Sequence, residues 1–196
     1  MSNPFSNESL VPNWTVASEI LKGDTPGHPF RGNQYSEGSL SDTSTRLANY
    51  VTDNRKNLSP SDAHDILDSH MEHAQMHRYA AEQLRNHVEM MTSPENLHRD
   101  GEATQAQVKA TLAKAKEYSK AADLHEAAEM AHENASNTVL KSQGEWGGKL
   151  GVGEKAPTAS QVSAASTAAA KASISAENAV PFTDANVLLP LGAYRA

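Results

Sequence analysis

The chain contains no cysteine. That excludes disulfides, thiolate zinc sites and cysteine nucleophiles, and leaves the redox compartment undefined. Aromatic residues are only 5% of the 196, which argues against β-sandwiches and barrels. Large aliphatics are scarce too. Leu, Ile, Val and Phe together make up roughly 16% of the chain, below the level of about 20% at which a well-filled core becomes doubtful. Much of the 38% hydrophobic content is alanine. Positive charge is not in excess: the net charge is −7, with a pI near 5.7, which argues against broad phosphate-backbone binding. No apolar run approaches the ~20 residues that span a bilayer. The opening "MSNPFSNESL" lacks the basic-then-apolar pattern of a signal peptide. The expectation is a helical body with a thin core, plus segments that bury little by themselves.

Residues 1–41 are rich in Asn, Ser, Pro and Gly, with apolar anchors at irregular intervals, among them Trp14, Phe30 and Tyr35. Such spacing predicts an extended N-terminal arm lying over a surface. Residues 42–142 read as the helical body. A first helix is expected from Ser41 to Asn57, capped by Asp42 or Ser44, with Leu47, Tyr50, Val51 and Leu58 at helical spacing. "LSPSDAHD" is a helix start: Ser59 caps, Pro60 suits the first position, and Asp62 and Asp65 complement the positive end. That helix is expected to reach about Thr92. A second long helix follows over about Glu102 to Ser142, free of internal Gly and Pro. Residues 143–158 read as a Gly-rich linker and 159–178 as a slim Ala/Ser helix packed close to a neighbour. Residues 179–196, broken by Pro181 and Pro190, read as an extended C-terminal arm. The fold class expected is therefore all-α, a long antiparallel helical hairpin plus short helices, with arms at both ends.

Eight of the nine histidines fall between residues 64 and 132. His70 and His77 share a heptad register with Ala63, Leu84 and Met91, with His73 beside them. On the next helix Tyr118, His125, His132 and Val139 share one register. Folding the hairpin at a loop near 97–98 makes facing residue numbers sum to about 195. His70 then faces His125, His77 faces Tyr118, and His64 faces His132. Two readings follow. In the first, His73 and His77, four apart on one helix face, bind a metal with His70, His125 and Glu129, making the protein a metal-binding protein or metal-dependent hydrolase. In the second, the histidines bond to one another, to Tyr118 or to water, and fix the helix register. The second is preferred, because no paired Glu-x-x-His motifs are present and an Ala-rich seam provides no dedicated cavity. The expectation is thus no metal, no cofactor and no catalytic residue.

Other motifs fail on spacing. His125-Glu126 and His132 lie seven apart, where zinc proteases need four. "GEWGGKLGVGEK" has no phosphate-loop pattern. No serine stands in a nucleophile-elbow context.

"GDTPGHPFRGNQY", residues 23 to 35, resembles a short segment of tailed-bacteriophage proteins, particularly head-associated and minor capsid proteins of phages of actinobacteria. The resemblance rests on Gly27, His28, Pro29, Phe30, Arg31, Gly32, Asn33 and Gln34 and covers about thirteen residues. It implies an assembly context: a non-enzymatic minor capsid or decoration protein, located in the virion and, during assembly, in the host cytoplasm. The partners implied are the major capsid protein or other virion subunits. Trp14, His28, Phe30, Arg31, Asn33, Gln34, Tyr35, Phe182 and Leu188 are the expected partner-binding residues. Self-association through the Ala-rich helices is a further expectation, as is the lack of direct contact with nucleic acid or membrane. A capsid scaffolding protein is the remaining alternative, consistent with acidity and helicity.

Overall fold

A computed structural model describes residues 39–97, 105–144 and 150–181. All the regular structure among these residues is helical, and the fold is all-α. The helices are α1 (Leu40–Asn54), α2 (Pro60–Thr92), the single turn α3 (Pro94–Leu97), α4 (Gln105–Ser142) and α5 (Ala159–Ala179).

Local chemistry sets the helix starts. Ser59 accepts the Asp62 amide hydrogen while the Asp62 carboxylate accepts that of Ser59, and Pro60 opens the helix. Thr158 and Gln161 form the same reciprocal cap on α5. The cap of α1 is Ser39, two residues before the expected start. Asp42, expected as a cap, is instead the third helical residue that returns the bond to Ser39. Pro94 ends α2 at Ser93, whose extended backbone is the conformation a following proline favours.

The four longer helices form an antiparallel ring. α2 packs most extensively on α4, α4 on α5, and α5 on α1, while α1 and α2 meet least closely. Side-chain pairs give the directions. His70 meets His132 and His77 meets His125, so α2 and α4 are antiparallel. Ser44 meets Ser173 and Thr52 meets Ser163, so α1 and α5 are antiparallel. α5 is the slim helix expected; its buried face is Val162, Ser166, Ala169, Ser173 and Ala176. Ile174, its other large aliphatic residue, is 40% exposed.

Two apolar clusters bracket the middle of the bundle. One gathers Leu40, Met76, Tyr79, Ala80, Leu84, Ala121 and Ala122, with Val180 packed against it. The other gathers Leu47, Val51, Ala63, Ile66, Val139 and Val162. Between them the interior is polar. Of the ten largest fully buried side chains, five are histidines, so imidazoles supply the bulk that scarce aliphatics do not.

Candidate functional site

The polar interior draws on all four long helices. α2 contributes His70, His73 and His77, and α4 contributes His125 and His132; all five are fully buried. Heptad spacing stacks them in two layers. His70 Nδ1 lies 2.9 Å from His132 Nδ1, and His77 Nδ1 lies 2.9 Å from His125 Nδ1. The His73 ring stacks on His132 with centroids 4.9 Å apart.

The facing numbers sum to 202 in both pairs, not about 195. His70 therefore faces His132 instead of His125, and His77 faces His125 instead of Tyr118. The partner of each histidine moves by seven residues, about two turns of the facing helix, and the cause lies in the connection. The extra turn α3 follows Pro94, which moves the centre of the hairpin beyond 97–98. His64, expected opposite His132, lies on the surface 3.4 Å from Asp68. Tyr118 packs edge-on against His87, with centroids 5.2 Å apart.

Hydroxyl groups complete the network. Ser166 Oγ is 2.9 Å from His70 Nε2, and Ser173 Oγ is 2.7 Å from His77 Nε2 and 2.9 Å from His132 Nε2. Ser44 Oγ lies 3.1 Å from Ser173 Oγ and 3.2 Å from His132 Nε2. His73 lies between the Ser69 carbonyl, 2.7 Å from Nδ1, and Thr43 Oγ1, 2.8 Å from Nε2. His125 Nε2 lies 2.7 Å from the Val180 carbonyl oxygen. Both ring nitrogens of all five imidazoles thus have a partner.

One backbone carbonyl orients every proton in the chain of bonds. A carbonyl oxygen only accepts, so His125 Nε2 carries a hydrogen and, with the ring neutral, His125 Nδ1 accepts. His77 Nδ1–H therefore donates to it, and His77 Nε2 accepts from the Ser173 hydroxyl. Ser173 Oγ in turn accepts from His132 Nε2–H and from Ser44. His132 Nδ1 then accepts from His70 Nδ1–H, and His70 Nε2 accepts from Ser166. The bonds run one way, from Ser166 on α5 to Val180 at its end. His73 stands apart, donating from Nδ1 to Ser69 and accepting from Thr43.

Electrostatics requires this neutral state. Burial, with the electrostatic influence of the neighbouring His73 as a second cause, pushes His70 down to about 3. Burial holds His77 and His132 well below the usual imidazole range, with neighbouring imidazoles adding to the effect. His125 is lowered by burial and partly restored by the Val180 carbonyl.

The hydrogen bonds of this arrangement join α2 to α1, α4 and α5. Glu129, the acidic member of the metal set, is largely buried and is held in an ion pair with Arg78. His73 and His77 turn Nε2 to hydroxyls on different helices, Thr43 of α1 and Ser173 of α5. Among the described residues no group of three or more His, Asp or Glu side chains is arranged to hold a metal ion, and no helix is long and apolar enough to cross a membrane.

Sequence reasoning missed Thr43, Ser44, Ser69, Ser166 and Ser173. A signal was present: Ser166 and Ser173 repeat at the seven-residue interval of His70/His77 and His125/His132. Trp14, His28, Phe30, Arg31, Asn33, Gln34, Tyr35, Phe182 and Leu188 all lie outside the described residues. Comparison of the chain with protein-family models, curated proteins and solved structures gives no match.

Proposed function

We propose that this protein is a non-enzymatic structural component of a tailed-phage particle, a minor capsid or decoration protein. In this reading the helical bundle is a rigid body, and the flanking segments attach it to neighbouring capsid subunits. The observation that carries the reading is the closure of the histidine network. The five imidazoles of the interior, side chains well suited to catalysis or metal binding, have every ring nitrogen in a hydrogen bond, and those bonds link all four long helices. Recognition then falls to Trp14, His28, Phe30, Arg31, Asn33, Gln34, Tyr35, Phe182 and Leu188. The phage-like segment at residues 23 to 35 supplies the assembly context.

The test is mass spectrometry of purified phage heads, with and without residues 1–38 of this protein. Wild-type chain in finished heads, and its loss on deletion, is the expected result. Presence in immature shells with absence from finished heads would identify a scaffolding protein instead. Undiminished incorporation of the shortened chain would reject attachment through that segment.

A further inference from the structure

The four long helices divide into two halves. α2 packs most extensively on α4, and α1 packs far more on α5 than on α2. Each half has polar bonds of its own. The α2–α4 half holds His70 to His132 and His77 to His125, with Arg78 and Arg85 bridging it outside. The α1–α5 half holds Ser44 to Ser173 and Thr52 to Ser163. Across the seam between the halves, imidazoles of α2 and α4 meet the hydroxyls of Thr43, Ser44, Ser166 and Ser173 and the Val180 carbonyl.

This division decides where an added proton goes. In the neutral network, Nδ1 of His125 and of His132 carries no hydrogen, and each faces an N–H across 2.9 Å. A hydrogen added there would set two hydrogens between two nitrogens and break the imidazole pair. The remaining hydrogen-free nitrogens are Nε2 of His70, His73 and His77, and all three face the seam. Protonation at these leaves both imidazole pairs intact. Thr43 tolerates it, because its hydroxyl can turn to the Leu40 carbonyl, 3.1 Å away. Ser173 does not. Its oxygen already receives hydrogens from His132 and Ser44 while its own goes to His77, and a hydroxyl has one hydrogen and two lone pairs. An Nε2–H on His77 becomes a third donor to a full oxygen.

Charge adds to the mismatch. Among the buried faces, α1 brings no titratable group and α5 brings Glu177. α4 brings His125 and His132, and α2 brings Glu72, Tyr79 and His87 besides its three seam histidines. Imidazoles therefore outnumber carboxyls along the seam, and charged rings there repel one another. A charged ring needs water, and lifting α1 with α5 uncovers the seam nitrogens. Only two connections, residues 55–59 and 143–158, join the halves.

We propose that acid opens the bundle along this seam: α1 and α5 move away together from the α2–α4 hairpin, and each half stays folded. A fall in pH then operates the fold as a switch, with no ligand required. The proposal is independent of a place in a capsid.

The absence of native cysteine makes the test direct. Pairs of exposed residues are replaced by cysteine in the full chain and spin-labelled. Asn134 and Ala164, which line one groove between α4 and α5, report across the seam. Glu82 and Lys120 report within the hairpin, and Asn49 and Ala168 within the α1–α5 half. Distances are measured by pulsed electron resonance at pH 7.5 and at pH 5, on either side of the usual imidazole range. The seam distance is expected to lengthen at pH 5 by about 10 Å or more, the spacing of two packed helices, while the other two change by less than about 3 Å. An unchanged seam distance would overturn the proposal. So would lengthening of the hairpin distance along with the seam, which is general unfolding, or lengthening from Asn49 to Ala168, which is departure of α5 alone.

Discussion

At the scale of the residue, Ser173 and Ser166 look alike and do different work. Ser173 gives its hydroxyl hydrogen to His77 and receives bonds from His132 and Ser44. Ser166 serves His70. Each buried polar group left without a partner costs about 1–3 kcal/mol. Ser173→Ala is therefore expected to destabilise the protein by about 3 kcal/mol or more, and Ser166→Ala by about 1–3 kcal/mol. Urea unfolding of the two variants checks the ordering. Equal losses would count against the branched role assigned to Ser173.

At the scale of the element, register is set from inside. Two arginines bridge α2 to α4 on the surface: Arg78 to Glu129 and Glu133, and Arg85 to Asp123 and Glu126. They sit seven residues apart and repeat the heptad of the histidines beneath them. Their side chains are about half exposed, so screening by solvent limits each bridge to about 0–1 kcal/mol. Replacing both by alanine is expected to lower stability by less than about 2 kcal/mol in thermal or urea unfolding. A larger loss would make the surface charges, and not the imidazole pairs, the source of register. The helices themselves were legible in the sequence. Ser59 and Pro60 announced the start of α2, and the heptads of His70/His77 and His125/His132 announced a polar seam. The pairing was not legible, because it depends on how many residues the connection consumes, and α3 spends a turn that Pro94 and its neighbours do not announce. Serine in an alanine-rich helix was equally quiet. Its small side chain reads as close packing until facing imidazoles show that its hydroxyl is needed.

At the scale of the whole molecule, the interior makes stability a function of pH. The pKa values of His70, His77, His125 and His132 are all lowered in the fold. The unfolded chain therefore binds more protons than the folded one once pH falls below about 6.5. Stability from these groups is complete above that pH. It is lost progressively as pH falls toward the folded values, about 3 for His70. Each imidazole that stays neutral in the fold contributes a loss of about 1.4 kcal/mol per pH unit in that window. Four together approach about 5 kcal/mol per unit, comparable with the whole stability of many domains. Urea midpoints should be flat from pH 8 to 7 and fall steeply between pH 6 and 5. A midpoint unchanged down to pH 5 would contradict the neutral network.

The one-way run of bonds from Ser166 to Val180 has a consequence in time as well as in energy. Imidazole hydrogens normally trade places with those of water too quickly to be followed. Here each inner hydrogen is locked in a bond to the next acceptor of the run, a ring nitrogen, the Ser173 hydroxyl or the Val180 carbonyl, and no single ring can release one without unseating the next. Replacement by deuterium must wait for the helices to part, so these side-chain hydrogens should report the lifetime of the closed bundle itself.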